Sequence, residues 1–327
     1  MKLVRTAMIV GASLLSLGVS GSAEAQVKFT FATTNGVRDF SSQAAVRWQK
    51  AMRDASKGGL EMAFIPGGAL GNDNQLLQQL SNNEIQFHVA GPVVVHNLLK
   101  QYQCMEAEFV YNDAAHGMRV WNGPLGKEVS QALEKDYGIT IAAVGARGAR
   151  HLTANKAVLK PEDLDGVKIR VTNKLREDIF KAYGALPGAL AISELYGGLQ
   201  QGVFDAQENP TSTIWGNKFY EVQKFISLTG HVQSYFVFSA NKRFVDSLTP
   251  EHRKIFDSTL AEAVAWMNKE VESEEDDLLQ KMEKTGRTKV VKPDVAAFQK
   301  VAEPIVRQYA AERCKPGLLD EIAKYAK

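Results

Sequence analysis

VKFTFATTNGVRDFSSQAAVRWQKAMRDASKGGLEMAFIPGG, residues 27–68, decides the fold class. Val27 to Thr34 alternates lightly and is rich in Val, Phe and Thr, which predicts a strand entering a polar turn at Asn35-Gly36. Ala44, Ala45, Trp48 and Met52 then recur at helical spacing until Gly58-Gly59 closes the pattern. Leu60 to Ile65 reads as a second strand, stopped by Pro66-Gly67-Gly68. Asn72 or Asp73 can cap a helix carrying Leu76, Leu77 and Leu80, and Ile85 to Val89 gives a third strand. Elements alternating in this way predict an α/β fold with a substantially parallel sheet.

Working outward, the alternation restarts with a strand at Ile139 to Val144, a loop from Gly145 to Asn155, and a strand at Val167 to Val171. Pro250 to Gly286 reads as one long helix, with Pro in its first turn, a stripe through Ile255, Leu260, Val264, Met267, Val271, Leu278 and Met282, and Gly at its end. At 1.5 Å per residue it is about 50 Å long, enough to bridge two lobes. The chain has 327 residues, with 39 Lys plus Arg against 37 Asp plus Glu. That length favours two domains over one core, and the balanced charge without basic runs excludes a nucleic-acid footprint.

The first 25 residues stand apart. Lys2 and Arg5 precede an apolar run from Ala7 to Val19, followed by Ala23-Glu24-Ala25. This is the pattern of a secretory signal peptide cleaved before Gln26, too short to span a membrane. Without Lys2, Arg5 and Glu24, 37 basic and 36 acidic side chains remain, so a charged ligand must be met by local residues. Export permits a disulfide between Cys104 and Cys314. Two separately buried thiols are the alternative, slightly favoured because free cysteine is among the most buried residue types.

The mature chain carries no GxSxG, GxxxxGK[ST], HExxH or GxGxxG, and its six histidines have no metal-ligand spacing. No cofactor or metal is called for. Attention falls instead on Gly148-Ala149-Arg150-His151-Leu152-Thr153, on Val167-Lys168-Ile169-Arg170-Val171, and on Gln207-Glu208-Asn209-Pro210 with Lys218-Phe219-Tyr220-Glu221-Val222-Gln223-Lys224. Strand alternation sets Arg170 on the face opposite Val167, Ile169 and Val171. An arginine at a cleft mouth offers two parallel N–H bonds to a carboxylate, and a structural salt bridge is the equal alternative.

These motifs resemble the solute-binding proteins of tripartite ATP-independent periplasmic (TRAP) transporters. The resemblance runs from the first strand through Leu70-Gly71-Asn72-Asp73 to His231 and the Pro250 helix, with QENP and KFYEVQK its most specific part. It implies two α/β lobes joined by crossing strands and a long helix, closing over an organic acid. The expected boundaries are residues 26–145 with about 235–275 for one lobe, and 146–234 with about 276–327 for the other. It implies a periplasmic receptor that hands its ligand to two membrane permease subunits, and no catalysis. Carried over by position, Arg170 matches the arginine pairing with the ligand carboxylate, Arg150 the second cleft arginine, and Asn209 the asparagine beside them. Arg147 is an extra arginine that competes for the role or sits on the loop. Trp215 and Tyr235 are candidate walls or core residues, and Asn35, Asp73, His88 and Ile192 complete the candidate pocket. Gly91 and Val94 stand where the sialic-acid-binding members carry an acidic residue and an arginine, which disfavours sialic acid and makes the Gly91 to Val95 wall apolar. Hexuronates, C4-dicarboxylates, short hydroxy or keto acids and aromatic acids remain. The second functional reading is an exported enzyme with Arg170 as substrate clamp and Glu208 as base.

Overall fold

A computed structural model describes residues 26–327; the expected leader, residues 1–25, lies outside them. The chain opens with β1 (Val27–Ala32), α1 (Phe40–Ala55), β2 (Leu60–Ile65), α2 (Asp73–Asn82) and β3 (Phe87–Ala90). Helices α3 (Ala114–Asn122) and α4 (Pro124–Tyr137) lead into the long strand β4 (Ile139–Ala154). There follow β5 (Lys168–Arg170), α5 (Lys174–Ala182), β6 (Leu186–Gly188), α6 (Ile192–Gln200), β7 (Ala206–Pro210) and α7 (Thr211–Gly216). A second long strand, β8 (Phe225–Asn241), precedes α8 (Lys242–Ser247) and α9 (Pro250–Lys284). The chain ends with β9 (Lys289–Val291), α10 (Val295–Arg313) and α11 (Leu318–Ala323).

The strands form one sheet in the order β2-β1-β3-β8-β4-β7-β5-β6, with β9 on β8. The expectation of a substantially parallel sheet holds at its two ends, where β1 pairs with β2 and β3, and β5 with β6 and β7. It fails in the middle, because β8 pairs antiparallel with β3 and β4, and β4 antiparallel with β7. Residues 145–154, expected as a loop, continue β4. The glycines and arginines there mask a strand broken by register shifts between Ile141 and Ala143, Ala146 and Gly148, and Arg150 and Leu152. Such bulges re-aim side chains, so simple alternation no longer marks the faces.

Local chemistry explains the other elements. Asn72 and Gln75 close a capping box at the start of α2, supplying partners for otherwise orphaned amides. Trp48 on α1 packs 4.7 Å from Phe87 and 4.9 Å from Phe256, ring centre to ring centre. Its indole N–H donates to Thr259 at 3.1 Å, so α1 docks on the first part of α9. Leu279 and Met282, near the end of α9, instead pack with Leu195 of α6, Ile214 of α7 and Phe219 just beyond it. The long helix therefore belongs to both cores, as its apolar stripe predicts.

Cys104 and Cys314 are bridged, 210 residues apart, so the alternative of two free thiols does not hold. The bond ties the segment before α3 to the end of α10. Closing so long a loop removes freedom from the unfolded chain, for which about 2–4 kcal/mol is typical. A Cys104→Ser/Cys314→Ser protein is expected to lose stability on that scale in urea. An unchanged midpoint would show the bridge to be mechanically idle.

Candidate functional site

The cleft lies where the two parts of the sheet meet, around a cavity lined from both sides. The β1 side supplies Thr34, Asn35, Asp73 and Gly91 to its wall; Arg147, Arg150, Arg170, Arg176, Ile192 and Asn209 come from β4 onward. Strand pairing creates this convergence. Arg150 lies opposite Pro210 on β7, His151 opposite Asn209, and Gln207 opposite Arg170 on β5. One β-ribbon thus carries all three residues expected to form the clamp.

The four arginines are buried, and they differ in how their charge is answered. Arg150 forms an ion pair with Glu208 through Nε, and its Nη2 donates to Glu208 Oε1 at 2.9 Å and to Asn209 Oδ1 at 3.2 Å. Arg176 lies 3.3 Å from Glu108 and within 3.9 Å of Glu106 and Glu208. Burial drives the Glu208 carboxyl upward, but Arg150, Arg176 and a hydrogen bond from His231 overcome it and hold the group well below the usual carboxylate range. Burial lowers the His231 pKa to about 4. Its neutral ring therefore donates from Nε2 to Glu208 at 3.2 Å while Nδ1 accepts from Thr229 at 2.7 Å.

Arg170 and Arg147 have no carboxylate within ion-pair distance among the described residues. Burial pulls both guanidinium groups down to about 10, so both are cations at neutral pH. Arg170 Nε donates to the Leu190 carbonyl at 2.9 Å, which fixes the side chain and leaves its two Nη groups without a protein partner. A planar fork held at its base and open at its end is the geometry for gripping a carboxylate. Asn209 donates from Nδ2 to Gln207 at 2.6 Å. That uses one of its two amide hydrogens and leaves the other for a ligand.

The remaining expected residues divide. Thr34 donates to Asp73 at 2.7 Å, and Asn35 donates to Ser41 at 2.9 Å; both Asp73 and Asn35 line the cavity, as does Ile192. His88 stands behind them, its Nδ1 donating to the Ala32 carbonyl at 2.9 Å and its Nε2 3.7 Å from Asp73. Burial depresses its pKa, so it supports the wall as a neutral ring. Tyr235 and Trp215 are not cavity walls. Tyr235 is fully buried, donates to the Ala114 carbonyl at 2.9 Å and packs on Tyr111, which sets it against α3 and not in the cleft. Trp215 stacks on Tyr220 at 5.3 Å and meets Arg38 on its other contact. The Gly91 to Val95 wall is not wholly apolar either: the Arg147 guanidinium crosses it at Gly91. Glu208, weighed as a base, is sealed in its ion pairs and has no path to a reacting atom.

Sequence reading missed Arg176, Glu106, His96 and Thr172, which also line the cavity. Arg176 sits in the first turn of α5 and reads as an ordinary helix-surface residue, and Glu106 lies in a polar run without a periodic signal. His96 is neutral, lowered to about 3 by burial and by Arg176 and Arg150. Among the described residues, no helix is long and apolar enough to cross a membrane.

Residues 31–313 match the family described as bacterial extracellular solute-binding protein, family 7. The chain is 29% identical to the 2,3-diketo-L-gulonate-binding periplasmic protein of Escherichia coli over 88% of its own length and 87% of that protein's. It is 28% identical to the C4-dicarboxylate-binding periplasmic protein of Rhodobacter capsulatus, covering 91% of each. A TRAP periplasmic solute-binding protein of Polaromonas sp. JS666, solved with D-erythronate, superposes with a TM-score of 0.84 at 26% identity, over 92% of this chain and 98% of that one.

Proposed function

The chain belongs to the bacterial extracellular solute-binding protein family 7, and from that premise we propose that it is the periplasmic receptor of a TRAP transporter for a small organic acid. The observation that carries the ligand class is the Arg170 fork, a buried cation with both Nη groups unpartnered in a cleft. An uncompensated buried charge is costly and is relieved by a paired anion. The ligands named for the three relatives, a diketogulonate, C4-dicarboxylates and D-erythronate, share a carboxylate and little else. Arg150, Arg170 and Asn209 hold the acid group in this reading, and Arg150 Nη1 adds a further donor. Permease subunits in the membrane receive the solute.

Residues 26–145 with about 235–275 form one lobe in this proposal, and 146–234 with about 276–327 the other, after removal of residues 1–25. Asn35 and Asp73 face the arginines across the cleft, so an acid touching both sides gains more contacts closed than open. That difference is what drives closure.

Thermal unfolding of residues 26–327 against organic acids, with their amides and neutral sugars as controls, tests the reading. An acid at 100 times its dissociation constant adds about 2.7 kcal/mol of stability. One acid class is expected to raise the transition while its amides do not. A protein purified without bound solute that answers to no acid would remove the receptor assignment.

A further inference from the structure

Resting on the acid-receptor reading, we propose that Arg147 is a second anion-binding residue, given its place by the missing side chain at Gly91, and that the cleft takes an organic acid carrying a second negative group. Arg147 is 6% exposed, and what surrounds it does not neutralise it. Its Nη2 donates to Thr213 Oγ1 at 3.1 Å, its guanidinium carbon lies 5.0 Å from the centre of the Phe236 ring, and its Nε is buried without a partner. A hydroxyl and an aromatic face orient a cation; neither cancels its charge. Asp39, Glu106 and Asp73 act on it only from beyond ion-pair distance.

Gly91 explains where the group sits. A Cβ at that position would lie 2.4 Å from Arg147 Nη1. Gly91 is not among the glycines with a left-handed backbone, so space and not conformation favours glycine there. Nη1 has no protein partner and is not sealed from the cavity that Arg147 and Gly91 line. An arginine fastened along one edge, with its other nitrogen presented over a glycine, is built like the Arg170 fork on the other flank of Arg150.

The two open arginines are held by different parts of the molecule. Arg147 is on β4 and anchored to α7 and β8, while Arg170 is on β5, with β7 between the two strands. In register Arg170 stands level with Gln207 and, through it, with Thr153, six residues beyond Arg147 along β4, so it is the long side chains and not the backbones that bring the two guanidinium groups to one cavity. Arg150 and Arg176 are already answered by the ionised Glu208. A lone carboxylate at Arg170 leaves the Arg147 charge buried and unanswered, whereas a second negative group completes both pairs.

Calorimetric titration of succinate, glutarate and L-malate, each beside its monoamide, with D-erythronate and galactonate as monoacid arms, tests this. The tightest ligand is expected to be a diacid, preferred over its monoamide by about tenfold or more. In Arg147→Gln that ratio is expected to fall to near one. Gly91→Ala should give the same collapse by displacing Nη1 while leaving the charge in place, which keeps the test sharp if Arg147→Gln folds poorly. The ligand-free Arg147→Gln protein is expected to melt no lower than the parent, because a buried unpaired cation has gone. A monoacid or monoamide as the tightest ligand, or a ratio that survives both substitutions, overturns the proposal while the receptor reading stands. Binding of none of these acids, or of any other, would overturn the receptor reading and this inference with it.

Discussion

A Glu208→Gln protein is expected to lose about 3–5 kcal/mol of stability, the scale on which removing one partner of a buried ion pair destabilises a fold. Glu208 is fully buried and answers Arg150 directly, with Arg176 and His231 within 3.8 Å. Glutamine keeps the shape but leaves Arg150 without its charge partner and places an amide N–H₂ against donors. The native carboxyl is held below its ordinary value of 4.5. Its contribution is therefore complete above pH 4.5 and is lost as the pH falls toward the depressed native value. Glu108 runs the other way. Raised to about 7 by burial, it contributes most below pH 4.5, and that contribution is lost as the pH rises through 7. The informative quantity is thus the difference between parent and variant, read as urea midpoints from pH 7 to pH 3. The gap should be widest at neutral pH and narrow in acid. An equal midpoint at pH 7 would show that the glutamate is not what holds Arg150 and Arg176.

An Arg170→Met protein is expected to bind its acid about a thousandfold more weakly, equivalent to about 4 kcal/mol, the middle of the range for truncating one side of a buried, hydrogen-bonded charge pair. Arg170→Lys should recover part of this and still fall short by about 2 kcal/mol, since an ammonium cannot reproduce the parallel pair of N–H bonds. Neither change should unfold the protein. In the absence of ligand the side chain makes one hydrogen bond, to the Leu190 carbonyl, and has no ion pair to lose. Titration calorimetry with the acid identified by thermal shift gives the affinity, and the ligand-free melting temperature gives the control. A loss under tenfold in Arg170→Met, with the fold intact, would take Arg170 out of the clamp.

Much of this architecture was written in patterns with one dominant period. The β1–α1–β2 unit and α9 are such cases, because each buries a regular face and is bounded by Gly, Pro or a capping residue. β4 was not legible beyond Val144. Its bulges shift the register three times, and Tyr235, for which cleft wall and core residue were equal alternatives, proves to lie in the core. The pairing of Cys104 with Cys314 joins points 210 residues apart, a relation that no local pattern carries. In the site, Arg150, Arg170 and Asn209 were found through motif resemblance, whereas Arg176 and Glu106 became visible only when folding brought distant charges together. The distinction between an answered and an unanswered arginine is likewise a property of neighbours in space: Arg147 and Arg150 stand three residues apart and look alike, yet only one meets a carboxylate.

The long antiparallel pair at the centre of the sheet has a consequence for how the molecule can be divided. β4 is bonded to β8 from Ile139 opposite Asn241 to Ala154 opposite Phe225, with β3 attached toward one end of β8 and β7 toward the other end of β4. A cut between the lobes would sever both strands and leave two raw sheet edges, the kind of surface that recruits other chains. Neither lobe is therefore a cassette that could be expressed or exchanged alone. New ligand preferences on this scaffold have to arise by substitutions within the cleft, since the unit that folds is the whole receptor.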